Sequence, residues 1–136
     1  MISRLLFIAM AAASVGGAAL SQTPATVSVQ VSYPVANQEV DRIITAEGKA
    51  NPAAKIWVIV HPTETEDYYV QPPTAVAPDG YWSGKVYFGR PNLDKGARFE
   101  MQVVANPVDP LEDGLKLRGF PAAAGRSPII RGLVRR

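Results

Sequence analysis

Apolar side chains recur at every second position through most of this chain, in runs that proline or glycine ends before a helix could complete three turns. Successive side chains of a strand point to opposite faces, so this spacing sets one apolar face against a core and turns the other toward water. The pattern is clearest from Ala97 to Ala105, where Phe99, Met101, Val103 and Ala105 alternate with Arg98, Glu100 and Gln102. A slip of one residue would carry all of these side chains to the wrong face, so the register of this strand is strongly specified.

The other runs read the same way. Val27, Val29 and Val31 alternate with Ser28 and Gln30 in a first strand that Tyr33 and Pro34 end, because proline has no N–H to offer a ladder. A second strand covers Val40 to Glu47 and closes at Gly48, with Ile44 and Ala46 inward and Asp41, Ile43, Thr45 and Glu47 on the opposite face. Lys55 to His61 is the most apolar strand, with Ile56, Val58 and Val60 facing one way and Trp57, Ile59 and His61 the other. Such a run suits a central strand covered on both faces. Thr63 to Asp79 is acidic and proline-rich, and is expected as loop with a short edge strand around Tyr68 to Gln71.

Pro78, Asp79 and Gly80 form a turn, since proline pre-sets its backbone angle and glycine accepts a positive one. In the next strand, Tyr81 to Gly89, Trp82, Gly84, Val86 and Phe88 face inward while Tyr81, Ser83, Lys85 and Tyr87 face outward. Pro107, Pro110 and Pro121 rule out one continuous helix or central strand between Asn106 and Gly125, although a helical turn at Pro110 to Gly114 is admissible because proline fits a first turn. Ser127 to Val134 supplies the last strand. Seven short strands with no long helical pattern predict an all-β fold, an antiparallel sandwich.

The N-terminus departs from this period. Arg4 precedes an uncharged apolar block of sixteen residues, Leu5 to Leu20, and small residues at Ala19 and Ser21 are followed by Gln22 and Pro24. This is the layout of a secretory signal peptide over residues 1–21. The block is short and rich in Ala and Gly for a helix that must cross about 30 Å of hydrocarbon, so cleavage is favoured over an uncleaved membrane anchor. The expected localisation is periplasmic or secreted. The mature chain, residues 22–136, is long enough for one domain with a real core. It has no Cys, so its stability must come from packing and backbone pairing rather than disulfides.

Charge divides unevenly along the mature chain. From Gln22 to Asp113, seven Lys and Arg stand against twelve Asp and Glu, a balance of −5, whereas Gly114 to Arg136 carries six cations and no acid. A tail of this kind suits an anionic membrane surface. It equally suits a solvated last strand lying along the acidic body, and that reading is preferred. Nucleic-acid binding would need basic residues interleaved with exposed aromatics on one surface. The tail holds Phe120 alone among aromatics, so no nucleic-acid partner is expected.

In this order the features resemble the exported immunoglobulin-like and fibronectin-III-like β-sandwich domains of bacteria. The residues that carry the resemblance are Tyr33-Pro34 through Glu39-Val40, Ala46-Glu47-Gly48, Ile56-Trp57-Val58-Ile59-Val60, Asp79-Gly80-Tyr81-Trp82, and Gly96-Ala97-Arg98-Phe99-Glu100-Met101-Gln102-Val103. Together they cover about residues 26–134. The resemblance implies an immunoglobulin-like sandwich, with Trp82 as the core residue after the turn. The cysteine pair of antibody domains is missing, and no catalytic site travels with this fold.

Chemistry-bearing residues are few. His61 is the single histidine and there is no Cys, which leaves no transition-metal site and no Cys–His dyad. His61 is expected as a strand-end residue that is hydrogen-bonded or exposed. Glu64, Glu66, Asp67 and Asp79 lie around one loop, where a hydrolase would want two carboxylates at a fixed separation and calcium would want a tight loop of converging oxygens. Their spacing matches no calcium loop, and a solvated acidic loop is the simpler account.

The remaining candidates are aromatic. Trp82, Phe88 and Phe99 belong to apolar faces and read as core. Tyr68, Tyr69, Tyr81 and Tyr87 read as outward or loop rings able to stack on sugars or anchor a protein, joined by Trp57 where its face is exposed. The sequence therefore predicts a non-catalytic exported module of the bacterial envelope, without cofactor or metal, that recognises an envelope or extracellular protein or a glycan. It would do so by edge-strand pairing or through a tyrosine patch. The rivals are a peripheral membrane protein using its basic tail and a carboxylate-dependent envelope hydrolase.

Overall fold

The computed structural model describes residues 26–136, so the signal segment expected at 1–21 and the spacer at 22–25 lie outside the described residues. Eleven strand segments occur, in order: β1 (Ser28–Tyr33), β2 (Glu39–Val40), β3 (Ile43–Asn51), β4 (Lys55–Pro62), β5 (Tyr68–Val70), β6 (Thr74–Ala75), β7 (Tyr81–Tyr87), β8 (Arg98–Pro107), β9 (Lys116–Leu117), β10 (Ala123–Arg126) and β11 (Ile130–Arg135). There is no helix among the described residues. At Pro110 to Gly114, where proline admits a helical turn, the chain makes a tight turn in which Leu115 N–H donates to Glu112 O.

The strands form two sheets of unequal width. The narrow one has the order β1-β3-β7 and is wholly antiparallel. The wide one runs β2-β11-β8-β4-β5-β9, with β10 continuing along β8 and β6 pairing the start of β4. All its pairs are antiparallel except β2 with β11. Seven expected strands become eleven segments because two runs are interrupted and two further two-residue strands, β6 and β9, form in the proline-rich connections. The second run splits at Asp41–Arg42, so that β2 joins the wide sheet and β3 the narrow one; β3 then passes Gly48 and pairs with β1 as far as Asn51. The last strand begins earlier than Ser127, and it breaks at Ser127-Pro128 between β10 and β11.

The inner faces of the sheets meet in the main core. Ile44, Ala46, Trp82, Val86 and Phe88 from the narrow side pack against Ile56, Val58, Val60, Phe99, Met101, Val103 and Leu133 from the wide side. Trp82, Phe88 and Phe99 are fully buried, as their alternation required. Gly48 allows Trp82 its place: a Cβ at position 48 would lie 2.6 Å from Trp82 Cζ2 and would also run into the Gln30 carbonyl.

A second, smaller core lies on the outer face of the wide sheet. Trp57, Ile59, Val70 and Val104 are buried there with Leu111, and Leu117, Phe120 and Ala123 pack around them. The proline-rich connection between β8 and β10 folds back over the sheet to supply this cover. It is tied down by Leu115 O accepting from Val70 N–H, Val70 O accepting from Gly114 N–H, and Ala122 O accepting from Val108 N–H.

Candidate binding cleft

Among the described residues, the wide sheet has no partner opposite its β5 side. Tyr69 is paired with Val60, which is paired with Met101, and directly paired residues share a face. Val60 and Met101 are buried by the narrow sheet, but Tyr69 on that same face is 38% exposed. The narrow sheet ends at β7, one strand short of covering it. The gap is a cleft of about 720 Å³, within the range of small-ligand pockets.

Val60 and Phe99 form its floor, Tyr69 and Tyr87 stand on two sides, and Arg90, Asp94 and Asp113 sit at the mouth. Gln71 bridges the opening. Its backbone extends the wide sheet, with Gln71 N–H donating to Val58 O. Its side-chain amide reaches the narrow sheet, accepting from Tyr87 N–H at 3.1 Å and donating to Tyr87 O at 3.5 Å.

The loop after β7 is held rigidly. The Arg90 N–H donates to Asp94 Oδ2 at 2.6 Å, and the Arg90 guanidinium donates to both carboxylate oxygens. The hydrogen bonds from the Arg90 side chain, then that from its backbone, hold the Asp94 carboxyl below the usual carboxylate range, and the pair raises Arg90 in turn. Gly89 makes this fold-back possible, since its φ is +78° and a Cβ there would lie 2.7 Å from Asp94 Oδ2. Arg135 braces the loop from beneath. It is 4% exposed, and its Nη1 donates to the carbonyls of Phe88 and Arg90.

Of the five aromatics singled out from sequence, the structure brings together Tyr69 and Tyr87. Tyr87 is 36% exposed and has Arg42 over one face of its ring, 5.9 Å from the centroid. Tyr81 is exposed at the far end of β7, where its hydroxyl donates to Glu47 Oε1. Tyr68 points to the opposite side of the wide sheet, half-buried against His61 and Phe120. Trp57 is 6% exposed, so the condition on which it would join a binding surface is not met: it lies in the second core, with Lys55 Nζ over its ring.

His61 stacks on Tyr68 at 3.8 Å, and its ring nitrogens lie 2.9 Å from Glu100 Oε1 and 2.8 Å from Thr65 O. Both nitrogens are thereby engaged in joining β4, β8 and the loop before β5, and neither faces the cleft. Glu64 and Glu66 are exposed, Glu66 pairs with Arg118, and Asp79 accepts from Tyr81 N–H within the turn. Among the described residues no three His, Cys, Asp or Glu side chains gather so as to hold a metal ion.

The basic tail is engaged by the body. Arg131 pairs with Glu100, Arg136 with Asp41 and Glu39, and Arg118 with Glu66, while Arg135 is buried. Sequence reasoning missed Gln71, Arg90, Asp94 and Asp113. The available signal was a glutamine between a buried valine and two prolines at a strand end, together with an aspartate four residues after an arginine. No protein-family model, curated protein or solved structure matches the chain.

Proposed function

We propose that this chain is an exported, non-catalytic recognition module of the bacterial envelope, built as an immunoglobulin-like sandwich. It binds its partner, a protein or a glycan, in the cleft between Tyr69 and Tyr87. The immunoglobulin-like reading draws support from strand order. Taking β1, β3 and β7 as strands A, B and E, and β4, β8 and β11 as C, F and G, the sheets group as they do in that architecture. Export rests on the layout of residues 1–21.

One observation carries the binding role: an apolar-floored opening in the sandwich that keeps Tyr69 and Tyr87 exposed at its sides. Large rings held at the mouth of a pocket supply contact area at little cost in conformational entropy. Against a hydrolase, Glu66 is paired with Arg118 and Asp79 accepts from the Tyr81 N–H, and neither carboxylate lines the cleft.

The test compares the full chain with the Tyr69→Ala/Tyr87→Ala double variant, using crosslinking in the native envelope and a glycan array. The expected outcome is loss of the captured partner or glycan signal, at least tenfold, with Tyr81→Ala as an unaffected control. Equal capture by wild type and double variant removes the cleft from the function.

A further inference from the structure

The cleft is shaped like a missing strand, and the chain fills its backbone position with a side chain. In the pairing of β7 with β3, Phe88 N–H and Gly80 O point toward β3, so the odd-numbered residues 81, 83, 85 and 87 direct their peptide groups to the outer edge. At one end Tyr81 is closed off, its N–H by Asp79 and its carbonyl by Ala77 N–H. At the other end, inside the cleft, Tyr87 N–H and C=O are met, among the described residues, only by the Gln71 amide. A carboxamide presents one acceptor and one donor side by side. That is what the peptide groups flanking one residue of an antiparallel strand present to a residue opposite. Exposed edges of this kind are commonly guarded against chance pairing, and Lys85 guards the middle of β7.

We propose that the cleft receives an extended peptide segment as an added antiparallel strand along the end of β7, and that Gln71 is its displaceable stand-in. The segment carries apolar side chains at alternate positions and one lysine or arginine. This deepens the binding role above and rests on it. A strand at Tyr87 directs every second side chain toward the floor of Val60 and Phe99, where Tyr69 already marks uncovered inner face. The cation is called for by Asp113, which lines the cleft and makes no ion pair among the described residues, whereas Arg90 is already taken by Asp94. Backbone pairing supplies affinity and the alternate pockets supply selectivity.

The experiment selects a random peptide library displayed on phage against the purified full chain, then studies the recovered peptides by amide NMR. The expected peptides alternate apolar residues beside a basic one, and their binding slows exchange of the Tyr87 amide. N-methylation of the peptide residue opposite Tyr87 weakens binding tenfold or more. Gln71→Ala, which removes the competing amide, tightens binding about fivefold, and Gln71→Glu, which cannot donate to Tyr87 O, serves as the second variant with the same direction of effect. If N-methylation and both Gln71 variants are neutral while Tyr69→Ala abolishes binding, the ligand docks by side chains. The cleft role then stands and the added strand is overturned. Recovery of no cleft-bound peptide, or a glycan as the sole ligand lost in the tyrosine variants, overturns it as well. Peptide binding that ignores both tyrosines overturns the cleft role along with it.

Discussion

Single residues here act mostly by shaping backbone. Gly48 opens room for the Trp82 ring, Gly89 turns the chain so that Asp94 can fold back, and Gln71 spans from one sheet to the other. Asp94 also sets a pH dependence. Its folded carboxyl sits below the ordinary value because Arg90 hydrogen-bonds the charged form. A depressed acid adds stability above the unfolded carboxylate range and loses it as pH falls through the lower, folded value. Asp41, lowered by Arg136, acts in the same direction. Stability measured by denaturant titration is therefore expected to fall below about pH 4. Asp94→Asn should flatten that acid limb and leave the slope above neutral pH unchanged; an identical acid limb in the variant would show that the Arg90–Asp94 pair adds no stability. Tyr87 was legible as an outward ring from strand alternation, whereas Tyr68 and Tyr69 read alike as outward or loop rings and only the structure separates them. Gln71 was not legible, because nothing in its neighbours indicates that its amide reaches a strand sixteen residues away.

Among the elements, the connection from β8 to β10 departs furthest from its sequence pattern. Its prolines announce a loop, yet Leu111, Leu117 and Phe120 make it a lid on Trp57 and Ile59. A sheet face as apolar as the outer side of β4 must be covered by something, and this segment is what the chain has available. Leu111→Ala is expected to cost about 2 kcal/mol, the low end for a truncated buried leucine, because the site lies near the surface. It should also shift Trp57 fluorescence to the red. Measuring the same substitution in a Trp57→Phe background, where Trp82 alone emits, should abolish the shift. A red shift that survives Trp57→Phe would mean the lid is coupled to the main core instead. The tail shows the same dependence on context: of six cations read as a solvated strand, Arg118, Arg131 and Arg136 become partners of Glu39, Asp41, Glu66 and Glu100, with Arg135 buried beneath the cleft loop. Exposed pairs such as Arg118–Glu66 are worth roughly 0–1 kcal/mol, so these contacts orient the tail more than they stabilise the fold.

For the molecule as a whole, export and recognition are joined proposals, since the location of a non-catalytic module limits what its cleft can meet. Export predicts that the mature protein isolated from its native source begins at Gln22. N-terminal sequencing that returns Met1 would turn the same segment into an anchor. The sequence by itself determined the strand alternation, the core aromatics Trp82, Phe88 and Phe99, the central place of β4 and the outward direction of Tyr87. All of these come from local periodicity, which each strand carries in its own residues. Tertiary structure alone decided that the sheets have unequal widths, that Trp57 and Tyr68 lie beneath a lid, and that Tyr69, Gln71 and Tyr87 border one cleft. Those outcomes depend on which strands become neighbours and where a sheet stops, and the alternation of a strand states which way its side chains point without stating what stands opposite them.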